Sequence, residues 1–191
     1  NHSLFELGFS TFFLNRCNRS GVISAGVIGG LNQEGNYKID ARFSRNDLIR
    51  RIELVGRYKD RITVTNMDAE SYINEYIPNL PDDCLIYLDP PYYNKAKALY
   101  LNAYHKKDHT RLAQTIQSKI DHNWVLSYDG VPQIIELYSN RRHFLYDLQY
   151  SAAKSYKGQE IFIFCDQLVL PHKCSLSSIN EGLKRLVSSA L

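Results

Sequence analysis

From residue 62 onward the sequence alternates between short apolar runs, typical of strands, and stretches with helical periodicity. The predicted strands are 62–65, 84–88, 124–128, 143–150 and 160–165, and the predicted helices are 68–77, 108–120 and 132–138. Strands that alternate with helices predict a parallel α/β sheet, in which 84–88 (CLIYL) is a buried strand. The last two strands follow each other without a helix, so they predict an antiparallel hairpin that completes the sheet.

The residues before 62 follow a different pattern. Residues 3–14 are apolar and aromatic, and they predict a buried helix. Residues 15–43 begin polar, basic and glycine-rich and then alternate around a Glu-Gly-Asn turn at 34–36, which predicts a loop followed by a β-hairpin. Ser44 and Asp47 have the spacing of a capping box and predict the start of a second helix.

Positive charge is concentrated in the first third of the chain. Residues 1–61 carry 10 Lys and Arg against 6 Asp and Glu, a balance of +4, whereas residues 62–191 carry 13 against 14, a balance of −1. Two interpretations of this basic third stay open: a solvated face, and a surface that binds a phosphate backbone.

The composition is that of a folded domain, with 44% of the 191 residues hydrophobic and 23% charged. No apolar run approaches the roughly 20 residues that a membrane-spanning helix needs. The four cysteines lack the paired spacing of a disulfide framework or a zinc site, which indicates a reducing, cytoplasmic setting. Because the sequence starts with Asn1 rather than Met, we expect that an upstream segment is missing.

Asp89-Pro90-Pro91-Tyr92 directly follows the predicted strand 84–88. A carboxylate at the carboxyl end of a parallel strand lies where open α/β sheets bind ligands. The residue before a proline is kept extended, and the prolines have no N–H that competes for neighbouring carbonyl oxygens. Tyr92 offers an aromatic face on which a planar base can stack.

These groups suit an exocyclic amino group on a planar ring, whose nitrogen is a poor nucleophile because its lone pair is delocalised. The Asp89 carboxylate and the Pro90 carbonyl can accept the two hydrogens, so that the lone pair is localised toward an electrophilic methyl group. The alternative interpretation is structural: a strand followed by a rigid turn with one solvated aspartate.

On these residues the sequence resembles the Dam-like D12 class of DNA N6-adenine methyltransferases, over most of residues 4–170. The resemblance implies an enzyme that transfers a methyl group from S-adenosyl-L-methionine to N6 of a flipped adenine in double-stranded DNA. Asp89, Pro90, Pro91 and Tyr92 would form its catalytic motif.

The resemblance also implies the other groups of the site. Asp68 would accept a hydrogen bond from the adenine amino group of the cofactor, and the Ala69 N–H would face a ring nitrogen. The implied target-base pocket contains Ser127, Tyr128, Asp129, Tyr150 and Ser151, although the family has Asn at the position of Tyr128 and often Arg at that of Tyr150. The implied DNA contacts, in a target-recognition insert, are Asn15, Arg16, Asn18, Arg19, Lys38 and Arg42.

The implied fold class is α/β: a Rossmann-like sheet with the strand order 3-2-1-4-5-7-6 and an antiparallel hairpin at its end. The predicted strands correspond to 3, 4, 5, 6 and 7, so strands 1 and 2 are missing from this chain and leave a gap of about 10 Å. We expect an N-terminal segment with the cofactor's glycine loop to fill it. The implied domains are 1–60 for target recognition and 61–170 for catalysis, followed by a tail at 171–191.

Other functions stay open at this point. The acceptor is alternatively cytosine N4, an RNA base or a protein glutamine, or the chain is a non-catalytic DNA-binding fragment. No metal site is expected: His105 and His109 have i,i+4 spacing but no evident third ligand, and we interpret them as helix-start or surface histidines.

Overall fold

The computed structural model describes residues 2–94, 104–150 and 156–170, and the chain divides into two compact units between Asn66 and Met67. The first unit contains helix α1 (Leu4–Cys17), a 3₁₀ turn (Arg19–Gly21), helix α2 (Arg45–Gly56) and a second 3₁₀ turn (Lys59–Arg61). The predicted tail at 171–191 lies outside the described residues.

Helix α1 begins where a capping box forms, since Ser3 accepts from the Glu6 N–H and the Glu6 side chain accepts from the Ser3 N–H. The helix is confirmed, but the prediction that it is buried is wrong. Phe5 is 80% exposed, and it stacks along the outside of the helix on Phe9, which in turn stacks on Phe13, with ring centroids 6.4 and 6.2 Å apart.

The β-hairpin predicted within 15–43 is also wrong. The described residues there form turns, with one isolated bridge between Asn18 and Val27. Gly29, Gly30 and Gln33 have φ values of +87°, +77° and +55°, so the chain turns where a ladder needs extended residues. A Cβ on Gly29 would lie 2.8 Å from the Tyr37 carbonyl oxygen, which restricts this turn to glycine.

Helix α2 follows Ser44 as predicted, but its capping box does not form. The Ser44 side chain makes no capping hydrogen bond. The Asp47 carboxylate instead pairs with Arg50 and Arg51, one turn further along the helix, at 2.9 and 2.7 Å.

The second unit contains a sheet and the helices that cover one of its faces. Its elements are α3 (Ala69–Ser71), which continues through a π turn (Tyr72–Tyr76) and a 3₁₀ turn (Ile77–Asn79), then β1 (Leu85–Leu88), α4 (Lys106–Lys119), β2 (Asn123–Asp129), α5 (Pro132–Leu137), β3 (Arg142–Tyr150) and β4 (Tyr156–Phe164). Each of these helices and strands was expected from periodicity, within a few residues at each end.

The strand order is β1-β2-β4-β3. β1 and β2 are parallel, whereas β4 is antiparallel to both β2 and β3. The predicted terminal hairpin is therefore confirmed. Among the described strands the sheet is mixed, with a single parallel pair.

One face of the sheet carries the core. Trp124, Leu126, Ile161 and Ile163 point to this face and are at most 2% exposed. They pack against the buried stripe of α4 that the sequence predicts, formed by Leu112, Ala113 and Ile116 with Ile120 just beyond the helix end. Their burial supplies most of the hydrophobic stabilisation of this unit.

The opposite face is more open, so the prediction of a fully buried strand at 84–88 is wrong. Leu85 and Tyr87 point to this face and are 60% and 59% exposed. Further along the same face, Phe144 and Tyr146 contact Phe162, with centroids 5.5 and 5.1 Å apart. In the described part of the chain, β1 has no neighbour on its outer edge.

The strand predicted at 62–65 does not form. Residues 62–68 have no regular structure, and Val64 is 87% exposed. A strand is stable only with a hydrogen-bonded neighbour, and no described strand pairs with this segment. None of the helices described is long and apolar enough to cross a membrane.

Candidate active site

Asp89 lies immediately after β1, beside the end of the parallel strand β2. Because the two strands run in the same direction, their carboxyl ends lie side by side, and Ser127 of β2 reaches the aspartate. Ser127 Oγ donates to Asp89 Oδ1 at 2.8 Å. Asp89 Oδ2 accepts no hydrogen bond from the described residues, and the side chain is exposed.

Tyr87 extends this arrangement by one residue. Its hydroxyl lies 2.8 Å from Ser127 Oγ. Since the serine hydroxyl donates its only hydrogen to Asp89, the tyrosine is the donor in this second bond. The chain from Tyr87 through Ser127 to Asp89 therefore fixes one carboxylate oxygen and leaves the other open. The alternating pattern of 84–88 did not single out Tyr87.

Asp129 ends β2 and holds the backbone that follows the motif. Its two carboxylate oxygens accept from the N–H of Tyr93 at 2.8 Å and the N–H of Asn94 at 3.2 Å. The side chain is 7% exposed, and bonds of this kind to a carboxylate are among the stronger ones in proteins. Asp129 thus fixes the backbone of the two residues that follow the motif.

Tyr92 is held by an acid that the sequence analysis missed. Its hydroxyl donates to Glu160 Oε1 at 2.8 Å, and Tyr146 donates to Glu160 Oε2. Glu160 is 8% exposed on β4, opposite Asp129 in the β2–β4 register. The available signal was an acid at the start of the otherwise apolar run EIFIFC.

Tyr128 is not brought together with Ser127 and Asp129. It points to the core face of β2 and is 1% exposed. Its hydroxyl bonds to His109 Nδ1, and burial raises the pKa of this phenol far above its ordinary value.

His105 and His109 have different environments. His105 is the N-cap of α4, as the helix-start interpretation predicts. His109 also lies in the first turn of this helix, but it is not a surface residue, because it is 2% exposed. Its ring lies 4.9 Å from the ring of Tyr93, directly after the motif, and burial lowers the pKa of its imidazole. Across 2–94, 104–150 and 156–170, no group of three or more metal-ligating side chains occurs.

Asp68 is the N-cap of α3, with Ala69 as the first helical residue. Its Oδ1 accepts from the N–H groups of Glu70 at 3.0 Å and Ser71 at 3.4 Å, while Oδ2 accepts from no described residue. Burial chiefly raises the pKa of the nearby Tyr104 phenol, and the negative charge of Asp68 adds to this effect. The ring of Tyr104 also contacts His109.

Several residues that were expected to contact DNA have side chains that bond to the backbone of the first unit. Asn15 and Asn18 donate to the carbonyls of Gly21 and Ile23, and Arg16 donates to the carbonyl of Arg42. Asn18 is 6% exposed. These side chains shape the loop after α1.

The other residues that were expected to contact DNA are Arg19, Lys38 and Arg42, and the first two of these are exposed. Lys38 is exposed, although its ammonium donates to the Gln33 carbonyl. Arg42 is half-buried. Arg19 is exposed, and its side chain makes no hydrogen bond or ion pair to a described residue, although its backbone bonds to Gly26 and Val22. An open cavity of about 440 Å³ is lined by Arg19, Ile28, Gly29, Gly35, Asn36 and Tyr37.

Tyr150 and Ser151 are the last two residues that were expected in the target-base pocket. Tyr150 is the last residue of β3 and pairs with Tyr156 on β4. Ser151 lies outside the described residues.

The second unit is thus a mixed α/β domain with polar groups at the carboxyl ends of a parallel strand pair, which is the place where open α/β sheets bind ligands. The sequence matches the family model described as D12 class N6 adenine-specific DNA methyltransferase over residues 2–153. The chain therefore belongs to this family. The comparison with curated proteins finds no match.

The buried His109 generates a prediction about stability. Its pKa in the folded protein is held below the value of 6.5 that applies to the unfolded chain. Below about pH 6.5 the unfolded state therefore binds more protons, and we expect the free energy of unfolding to fall with decreasing pH, by up to about 1.4 kcal/mol per pH unit. Urea denaturation between about pH 5 and 8 measures this slope.

His109→Phe keeps an aromatic ring against Tyr93 but cannot titrate, so it should flatten the profile below pH 6.5. His105→Gln is the matched control, because His105 is exposed at the start of the same helix. It should keep the wild-type slope. A His109→Phe profile as steep as that of the wild type would contradict the assignment.

Proposed function

We propose that this chain carries the catalytic motif of a site-specific DNA methyltransferase, which transfers a methyl group from S-adenosyl-L-methionine to N6 of a flipped adenine. The observation that carries the proposal is the geometry of Asp89. One of its oxygens is fixed by Ser127 and the other is open, at the carboxyl end of the parallel pair. The family match supports adenine in DNA as the acceptor.

In this proposal Asp89 Oδ2 and the Pro90 carbonyl accept the two hydrogens of the adenine amino group. The lone pair of N6 is then localised away from the ring and toward the methyl donor. As the methyl group is transferred, the N6–C bond would form while the bond from the methyl carbon to the sulfonium sulfur breaks and leaves a neutral thioether. N6 would then release one proton, and Asp89 Oδ2 is the atom that accepts it. The bond from Ser127 keeps the carboxylate from rotating away from this position.

The flipped base stacks on the ring of Tyr92. The bonds of this residue to Glu160, and of the following backbone to Asp129, support a fixed ring. Ser127 acts through Asp89 in this proposal. The core position of Tyr128 favours a structural role for that residue in place of contact with the base.

The cofactor's adenine end fits the start of α3. Asp68 has one oxygen committed to the helix and one open, and the open oxygen suits an amino group. Asp68 and Ala69 would hold the adenine ring there. When bound, S-adenosylmethionine supplies an electrophilic methyl group on its sulfonium.

Asp89→Ala removes the carboxylate that accepts an amino hydrogen in this proposal. We expect methyl transfer to fall by at least about a hundredfold, with DNA affinity unchanged, because the group acts on charge that develops in the transition state. Mass analysis of N6-methyladenine in unmethylated genomic DNA measures transfer. The protein is expressed from the complete reading frame that contains this sequence.

Asp83→Ala is the matched control, since Asp83 is an exposed carboxylate in the turn before β1. It should transfer at the wild-type rate. Retained turnover in Asp89→Ala would refute the proposal. If the wild-type protein methylates cytosine N4 or RNA and forms no N6-methyladenine, the acceptor is a different group.

We further propose that the first unit carries the DNA-binding charge, within the target-recognition segment 1–60. The exposed Arg19, with Lys38 and Arg42, supplies contacts to phosphate. Asn15, Arg16 and Asn18 act by shaping the loop, since their side chains bond to its backbone. This division refines the expectation that all of them touch DNA.

Arg19→Ala should lower the affinity for duplex DNA and reduce the slope of log affinity against log salt by about 0.9, the value for one phosphate contact. Fluorescence anisotropy at a series of salt concentrations measures both. Arg111→Ala removes the same charge from the second unit, where Arg111 pairs with Glu70, and it should leave the slope unchanged. Equal slopes for wild type and Arg19→Ala would exclude the phosphate contact.

We also propose that an N-terminal segment with the cofactor's glycine loop completes the catalytic domain. The observed order β1-β2-β4-β3 equals the expected order 4-5-7-6 of the last four strands. The outer edge of β1, which pairs with no described strand, and the exposed Leu85 and Tyr87 support the addition of further strands and a covering layer there.

This proposal predicts that the 191-residue chain binds S-adenosylmethionine at least about a hundredfold more weakly than the protein from the complete reading frame. Isothermal titration calorimetry compares the two. Hydrogen exchange supplies the control, because amides of the paired strand β2 should be protected in both and those on the outer edge of β1 only in the longer protein. A cooperative melt with micromolar binding by the chain alone would overturn it.

A further inference from the structure

Glu160 occupies a position where a charged side chain is costly. It lies on β4, paired in register with Asp129 on β2 and with Tyr146 on β3. Directly opposed residues of an antiparallel pair point to the same face, so two carboxylates share this small region. Glu160 is 8% exposed and Asp129 is 7% exposed. Burying a charged side chain costs free energy unless hydrogen bonds satisfy it.

Two hydrogen bonds to Glu160 offset this cost, and one of them comes from the motif residue Tyr92. Glu160 Oε1 accepts from Tyr92 at 2.8 Å, and Oε2 accepts from Tyr146. Tyr146 is itself fixed, because its ring stacks on Phe162 with the centroids 5.1 Å apart and the planes 13° from parallel. The hydroxyl of Tyr92 is thereby connected through one carboxylate to the rigid β3–β4 hairpin.

The two neighbouring acids hold different parts of the same loop. Asp129 accepts from the backbone N–H groups of Tyr93 and Asn94, and so fixes the chain just after Tyr92. Glu160 fixes the far end of the Tyr92 side chain. A ring held at its backbone and at its hydroxyl keeps one plane, which is the requirement for a surface on which a base stacks.

We infer that Glu160 is a positioning residue that sets the plane of the Tyr92 ring, and with it the orientation of the target base relative to Asp89. This inference rests on the proposed function. Glu160 touches neither base nor cofactor, and it acts through the Tyr92 hydroxyl. Its loss therefore lowers kcat while leaving DNA affinity in place.

The experiment is a double-mutant cycle between Glu160 and Tyr92. Glu160→Leu keeps the volume and removes both acceptors, whereas Tyr92→Phe keeps the stacking ring and removes only the hydroxyl. Each should lower kcat by about tenfold, with the Kd for unmethylated genomic DNA within about twofold of wild type. The double variant should be no slower than the slower of the two single variants, because both substitutions remove the same bond between Tyr92 and Glu160.

Two further variants separate positioning from stability. Glu160→Gln retains an acceptor for the Tyr92 hydroxyl and should recover most of kcat. Tyr146→Phe leaves the Tyr92–Glu160 bond intact and should lower kcat by less than Tyr92→Phe does. Thermal melts of all variants accompany the kinetics, and Glu136→Gln, an acid on α5 in the same unit, serves as the unaffected control.

Additive losses in the double variant would overturn the inference. Wild-type kcat in Tyr92→Phe would overturn it even where Glu160→Leu does not fold. Asp89→Ala in the same assay distinguishes the two proposals. If it retains turnover, the proposed function fails. If it abolishes turnover while the Glu160 and Tyr92 variants behave as wild type, only the role of Glu160 fails.

Discussion

The parallel pairing of β1 with β2 is the constraint on which the site depends. Leu88 pairs with Leu126, so the residues that follow each strand come out at the same edge of the sheet. This register brings Ser127 to 2.8 Å from Asp89 and Asp129 to the backbone of Tyr93. A shift by one residue would turn Ser127 and Asp129 to the core face and remove both contacts. Burial of Leu126, which is fully enclosed in the core, opposes such a shift.

The sheet separates two tasks between its faces. Alternate residues of β2 point to opposite sides, so Trp124, Leu126 and Tyr128 build the core while Ser127 and Asp129 face the motif. β4 repeats the division, with Ile161 and Ile163 in the core and Glu160 on the motif side. The polar side chains Ser127, Asp129 and Glu160 therefore stand on strands whose other face is tightly packed with apolar side chains, and this packing limits their movement.

The sequence patterns correctly predicted elements that are stabilised by contacts close in sequence and helices that have one apolar face. The stripe of α4 and the β3–β4 hairpin are of this kind, and the motif after β1 was also evident from residue order. The strand at 62–65 could not be predicted correctly, because its formation depends on a neighbour that the pattern does not contain. The hairpin within 15–43 failed because positive φ values at Gly29 and Gly30 redirect the chain. Burial of His109 and the bond from Tyr92 to Glu160 are set by contacts distant in sequence, so no local signal specified them.

The candidate site is acidic, whereas the excess of positive charge lies in the first third of the chain. Asp129 and Glu160 lie beside the motif that contains Asp89, and both are buried and accept hydrogen bonds from the motif and the residues that follow it. Residues 62–191 accordingly carry a balance of −1, which gives no net attraction for a phosphate backbone. The proposed function therefore assigns DNA binding to the first unit, which has a balance of +4. In the proposed function, the acids of the second unit thus hold the motif and accept the proton, while the charge that binds DNA is carried by the first unit.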